Sequence, residues 1–351
     1  MRSGAAVLAF LGLLVLSAFI LHIFQDEPYI ASSTSQSNLS NHHHTATHTS
    51  PSPHSSTSDT SIPPLSSYNL VWSDEFNQPD GSFPLDSNWN AEVGCGLYNS
   101  EMQCYTQSTD NAYIKAGHLH IVARLQHTAV ITNQTTELTT YNTTTNTTTH
   151  TTLTTQHTTH YNYTSARLTT QHLHTFTHPR LQALIRLPAF KGAWPALWLL
   201  GSTIDTVGWP RCGEIDVLES VNTDATVHAT IHYNQHGHAS PNISHAQLSA
   251  AYLPTDTAHS AGSHSERSRG DGMFHLYELV HTSDSISFMV NGEVFYVLRL
   301  TGRKALDAFV GKEFFILLNV AVGGWWPGWD VDYKALPAEM EVDYVRVYEL
   351  K

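Results

Sequence analysis

The chain has 351 residues, 41% of them hydrophobic, with 8 Trp, 15 Tyr and 13 Phe, enough apolar mass for one large core. Its formal net charge of -13, from 17 basic and 30 acidic side chains, argues against nucleic acid or an anionic lipid surface as a partner. Most of the 24 histidines fall in polar low-complexity stretches and read as solvated filler rather than metal ligands.

Arg2 precedes an almost unbroken apolar run over 5–24, long enough to cross a bilayer. No small-x-small cleavage site follows it, so a cleaved signal peptide and an uncleaved signal-anchor both stay open. Either one delivers the remainder to the lumen or the cell exterior, extracellular or held on a single membrane pass. Six Asn-x-Ser/Thr sequons agree, beginning at Asn38, Asn133, Asn142, Asn146, Asn162 and Asn242. Residues 25–66, rich in Ser, Thr, His and Pro, read as a disordered glycosylated stalk, with the folded domain over 67–351. Three cysteines permit one intrachain disulfide; proximity favours Cys95 with Cys104 over pairings with Cys212.

Within the domain, HLHIVARL (118–125) alternates as a strand does. Residues 126–160, with YNTTTNTTTHTTLTTQHTTH, hold too little apolar surface to fold alone and are expected as a sugar-coated surface loop. An extended hairpin, which threonine favours, is the second choice. In GAWPALWLLG (192–201), Trp194 and Trp198 share one face and Leu197 and Leu199 the other, so the leucines enter a core while the indoles line a groove. Trp209 and the GGWWPGWD segment (Trp325, Trp326, Trp329) add aromatic faces suited to sugar rings.

GEIDVLES (213–220) carries three carboxylates in a strand. Glu214 and Asp216 share a face, and Glu219 joins them only if a β-bulge intervenes, while Ile215, Val217 and Leu218 face a core. ISFMVNGEVFYVLRL (286–300) is two strands joined at Asn291-Gly292, and EFFILLNVAV and MEVDYVRVYEL supply two more. No long segment has a helical period. The expected fold is all-β, a two-sheet jelly-roll sandwich.

GAWPALW followed by WPRCGEIDVLES resembles glycoside hydrolase family 16, in its laminarinase-like members. LVWSDEFNQPDGS, Ser87-Asn88-Trp89, YNSEMQCYTQSTDNAYIKAGHLHIVAR, YTSARLTT, FILLNVAVGG and VDYVRVYEL extend the similarity in order through 68–350. The resemblance implies a concanavalin A-like sandwich with an open cleft and retaining, endo-acting hydrolysis of β-1,3-glucan by a monomer that needs no cofactor for catalysis. It makes Glu214 the nucleophile and Glu219 the acid/base. Asp216 lies between, expected to hydrogen-bond Glu214 and, by its charge, to raise the pKa of Glu219. It also implies sugar contacts at Asn99, Glu101, Arg180 and His232, and a structural calcium site from Glu75, Asp343 and the backbone of Gly117. His178-Pro179, His281 and Cys104 depart from the family pattern and bear on subsite detail. A wall-remodelling transglycosylase and a non-catalytic glucan-binding protein are the alternatives; retention of both glutamates ranks the binder last.

Overall fold

The computed structural model describes residues 62–142, 147–224, 226–234, 244–252, 273–302 and 304–351. The apolar segment 5–24, stalk residues 25–61 and the sequons at Asn38, Asn146 and Asn242 lie outside them. The described residues start at 62, ahead of the expected domain boundary at 67. A 3-10 turn, Leu65–Ser67, is tied to the other terminus: Lys351 donates its backbone N–H to Ser67 and its ammonium to the Ser66 carbonyl.

Two sheets form the domain, as the strand patterns predict. The outer sheet runs Glu293–Arg299, Ser285–Val290, His275–His281, Arg180–Arg186, Ala338–Leu350, His118–Asn142, Thr147–Ser165, Gln103–Tyr105 and Gly94–Cys95, with Tyr68–Asp74 and Ala112–Lys115 attached beside this path. The inner sheet runs Ser244–Tyr252, Thr226–Asn234, Glu214–Glu219, Ala193–Gly201, Glu313–Val322, Arg167–Thr169 and Asn90–Ala91. Among the described residues the α-helix is limited to the single turn Ile204–Val207. Leu197, Leu199, Ile215, Ile231, Ile316 and Leu318 of the inner sheet and Leu181, Ala183, Ile185, Leu279, Val342 and Val345 of the outer are each fully buried in one shared core. The period of two places these side chains inward on both layers, and their removal from water is the main stabilising term.

Asn291 (φ 52°) and Gly292 (φ 81°) form the expected two-residue turn, with Val290 opposite Glu293. Cys95 and Cys104 are cross-strand partners and disulfide-bonded, leaving Cys212 free and buried. The SDEF and SNW segments have a structural role. Buried Asp74 accepts from the Phe76 N–H, the Asn88 amide and the Trp89 indole at 2.9, 3.0 and 3.0 Å.

The threonine-rich insertion is a correction to the surface-loop expectation. His118–Asn142 and Thr147–Ser165 pair antiparallel in unbroken register from Thr128↔Tyr161 to Asn142↔Thr147. This backbone pairing is the extended hairpin held as the second choice, which threonine's strand preference favours. Its base is anchored where Tyr163, Thr164 and Ser165, all buried, pair in parallel with Gln103, Cys104 and Tyr105.

Candidate active site

Glu214–Glu219 lies between Ala193–Gly201 and Thr226–Asn234, and the register slips on both sides: between Leu197 and Trp198 on one, between Asp216 and Glu219 on the other. This is the bulge that the acid spacing requires. Val217 and Leu218 both turn into the core, at 1% and 0% exposure, which leaves Glu214, Asp216 and Glu219 to interact on the opposite face. Trp209 donates its indole N–H to Glu214 Oε2 at 3.1 Å, and Trp194 donates to Glu219 Oε1 at 3.0 Å. The Thr230 hydroxyl reaches Glu219 Oε2 at 3.4 Å. His232 Nε2 stands 3.7 Å from Glu214 Oε1 and 3.4 Å from Asp216 Oδ2.

Burial raises the pKa of Glu214 to about 7, and the Glu219 charge pushes the same way; Arg167 and the Trp209 donor oppose it. Glu219 is also raised to about 7 by burial, against the Trp194 and Thr230 donors. Arg167 favours the ionised form of Glu214 and does not act on Glu219, and the two neighbouring glutamates titrate as an interacting pair. Asp216 departs from expectation. Burial, then the charges of Glu214 and Glu219, lift its own pKa well above the usual carboxylate range, and burial rather than an Asp216 charge is the first cause of the shift at Glu219. Burial lowers His232 to about 4, making it a neutral imidazole beside the acids.

Cross-strand pairing extends the site along the sheet. Ala196 lies opposite Glu219 and Asn319, and Asn319 lies opposite Arg167. Arg167 is buried, its Nε 2.7 Å from Glu92 and its guanidinium 4.5 Å from the Tyr98 ring centre and 4.7 Å from that of Trp198. Glu101 accepts from Gln103 at 2.7 Å, from Tyr105 at 3.1 Å and from Asn99 at 3.5 Å. The Asn99 carbonyl takes the Trp325 N–H at 3.0 Å, which brings Asn99 and the 69%-exposed Trp325 together. Trp326 packs edge-on against Trp194 and His228.

Two sequence expectations change. Arg180 lies on the outer sheet, not with the acids of the inner one. It is buried against Glu278 at 3.2 Å and the Pro63 carbonyl at 2.9 Å, so its charge is already matched. Arg167, in YTSARLTT, is the arginine at the acids; charge on a strand next to the aromatic groove is the sequence signal that points to it. Trp198 is half-buried, with Arg167 over its ring, its N–H given to Asn319 at 2.8 Å and its edge packed on Leu200, Cys212, Phe315 and Leu317. It supports Arg167 rather than presenting an open sugar face. Of the residues expected at a calcium site, Glu75 gives both oxygens to Arg346 at 2.8 and 2.6 Å, and Asp343 lies 3.6 Å from His118. The departing histidines form a ring pair at 5.1 Å, with His281 Nε2 bonded to the Phe309 carbonyl at 2.7 Å and Gly311 N–H donating to His178.

The family model described as the XgeA-like catalytic GH16 domain matches residues 124–301. The beta-glucanase of Rhodothermus marinus is 31% identical over 295 residues, 80% of this chain and 85% of that protein. The clotting factor G alpha subunit of Tachypleus tridentatus is 30% identical over 287 residues, 80% of this chain, which spans only 34% of that relative. The laminarinase catalytic domain of Thermotoga maritima MSB8 superimposes with TM-score 0.60 at 30% identity, covering 80% of this chain and 98% of that domain. Fold, bulged acid strand and these similarities agree: the chain belongs to glycoside hydrolase family 16.

Proposed function

We propose that this chain is a retaining endo-hydrolase of β-1,3-glucan, acting on laminarin-like polysaccharide in the secretory pathway or outside the cell. The observation that carries the reading is the bulge that sets Glu214 and Glu219 on one face of the acid strand. Glu214, the carboxylate favoured by Arg167, attacks the anomeric carbon while protonated Glu219 gives its proton to the leaving oxygen. Glu219 then takes a proton from the water that releases the glycosyl-enzyme. His232, a neutral imidazole 3.7 Å from Glu214, adds no charge beside it. The laminarinase and beta-glucanase relatives support the substrate class.

The test is incubation with β-1,3, mixed-linkage and β-1,4 glucans and sizing of the products. Shorter β-1,3 oligosaccharides are expected; intact glucans would end the reading, and longer products would make the protein a transglycosylase. Delivery out of the cytosol is supported by the 5–24 apolar run, the sequons and the Cys95–Cys104 disulfide. An endoglycosidase should accordingly reduce the mass of the enzyme used.

Arg167→Met gives a pH prediction. Without the guanidinium the Glu214 pKa rises, so the ascending limb of kcat/KM moves to higher pH. At a fixed pH on that limb, activity falls about tenfold for every pH unit the limb travels. Arg167→Lys should keep most of the limb in place, and equal profiles for Met and Lys would show that charge is not the cause.

A further inference from the structure

The geometry points to a second site, on the outer sheet away from the acids, that binds a late first-row divalent cation of the zinc type through His118, His120 and Glu341. His118 and His120 are two apart on the strand His118–Asn142, which puts both imidazoles on one face. The neighbouring strand sets Glu341 directly opposite His120. One donor atom from each of the three lies within 4.8 Å of the other two.

The hydrogen bonding around His120 is what a ligand would complete. The residue is 6% exposed, and its ring is stacked on Tyr113 at 4.9 Å with the planes 2° apart. Nε2 is 3.4 Å from the Lys115 carbonyl, which can only accept, so Nε2 carries a proton and Nδ1 is the nitrogen left for a ligand. No hydrogen bond reaches Nδ1; facing it at 3.2 Å is a carboxylate oxygen of Glu339. A ring nitrogen held against a carboxylate calls for positive charge between them, which either a proton or a metal ion supplies. An imidazole that gives its other N–H to a backbone carbonyl is also the usual outer arrangement of a metal-bound histidine. Glu341 is likewise oriented: Arg186 pairs with Oε1, and Oε2 faces His118 Nδ1 at 3.8 Å. His118 Nε2 is 3.6 Å from Asp343, and the His118 side chain is 30% exposed, which leaves a way in from solvent.

Two imidazoles and a carboxylate select zinc-like ions over calcium, which takes six to eight oxygens. Because the ligands come from two strands, the ion would clip His118–Asn142 to Ala338–Leu350 and bind the folded state alone. The full chain, stripped with a chelator, is titrated with Zn2+ alone at pH 7 by calorimetry and by thermal melting. The parent should take up one equivalent more than His118→Ala and gain several degrees of melting temperature that the variant does not. His120→Gln should lose the same equivalent. The other histidines, including His42, His43 and His44, contribute equally to all three proteins and subtract out. Circular dichroism and the metal-free melting temperature establish that each variant folds. Equal uptake and equal melting shifts in parent and both variants, or displacement of the extra equivalent by Ca2+ at the same concentration, overturn the assignment.

Discussion

Glu214→Gln will lower kcat on β-1,3-glucan by at least about a thousandfold, on the order of 4 kcal/mol in barrier, while the variant still binds oligosaccharide. An amide cannot form the glycosyl ester, yet its oxygen can still accept from the Trp209 indole, so the groove keeps its shape. The same substitution should raise thermal stability near neutral pH. Glu214 carries a folded pKa of about 7 against an ordinary value of 4.5. Between those values the folded state binds more protons than the unfolded one, so stability falls as pH rises through the window. The cost is absent below the lower value and complete above the upper. Glutamine removes that cost, and melting curves at acidic and neutral pH should converge relative to the parent. Glu219→Gln differs in a way that separates the roles: an aryl glycoside, whose leaving group needs little protonation, should be cleaved far better than glucan. A Glu214→Gln protein that retains most of its activity would place the nucleophile elsewhere.

Gly201→Ala should cost about 3 kcal/mol of stability, with a fall in melting temperature on the order of 5–10 °C. Gly201 closes the strand Ala193–Gly201, donating to the Gly213 carbonyl at 2.9 Å. A Cβ placed there would stand 2.0 Å from the Cys212 carbonyl oxygen and 2.8 Å from its carbon. Both are backbone atoms, so the strand end must move, and Cys212 is only two residues before Glu214. Gly292→Ala is the control, since its Cβ meets open space and the cost is only that of a left-handed φ of 81°, about 1–2 kcal/mol. Comparable losses at the two positions would mean that contact with Cys212 is not the controlling term.

The elements legible in the sequence are those whose signal is local. Asn291-Gly292 needs only positive φ at two residues to define its turn, and the alternation in GAWPALWLLG already divides Leu197 and Leu199 from Trp194. The bulge is legible because three acids and three apolar residues cannot otherwise separate onto two faces. The insertion escapes the same logic because low apolar content does not exclude order. A cross-strand ladder anchored at Gln103–Tyr105 meets the backbone's hydrogen-bonding needs without it.

Spacing, side-chain period and composition suffice for the strands, the sandwich and the identity of the three acids, since each follows from which face a residue takes on its own chain segment. Which arginine stands by the acids, what covers Trp198, and the raised pKa of Asp216 arise from packing. Arg167 and Arg180 both sit on strands of suitable pattern, but sheet order puts one beside Trp198 and the other against Glu278 on the far layer. Charge and burial depend on neighbours distant in the chain, and those are assigned only when the sheets assemble.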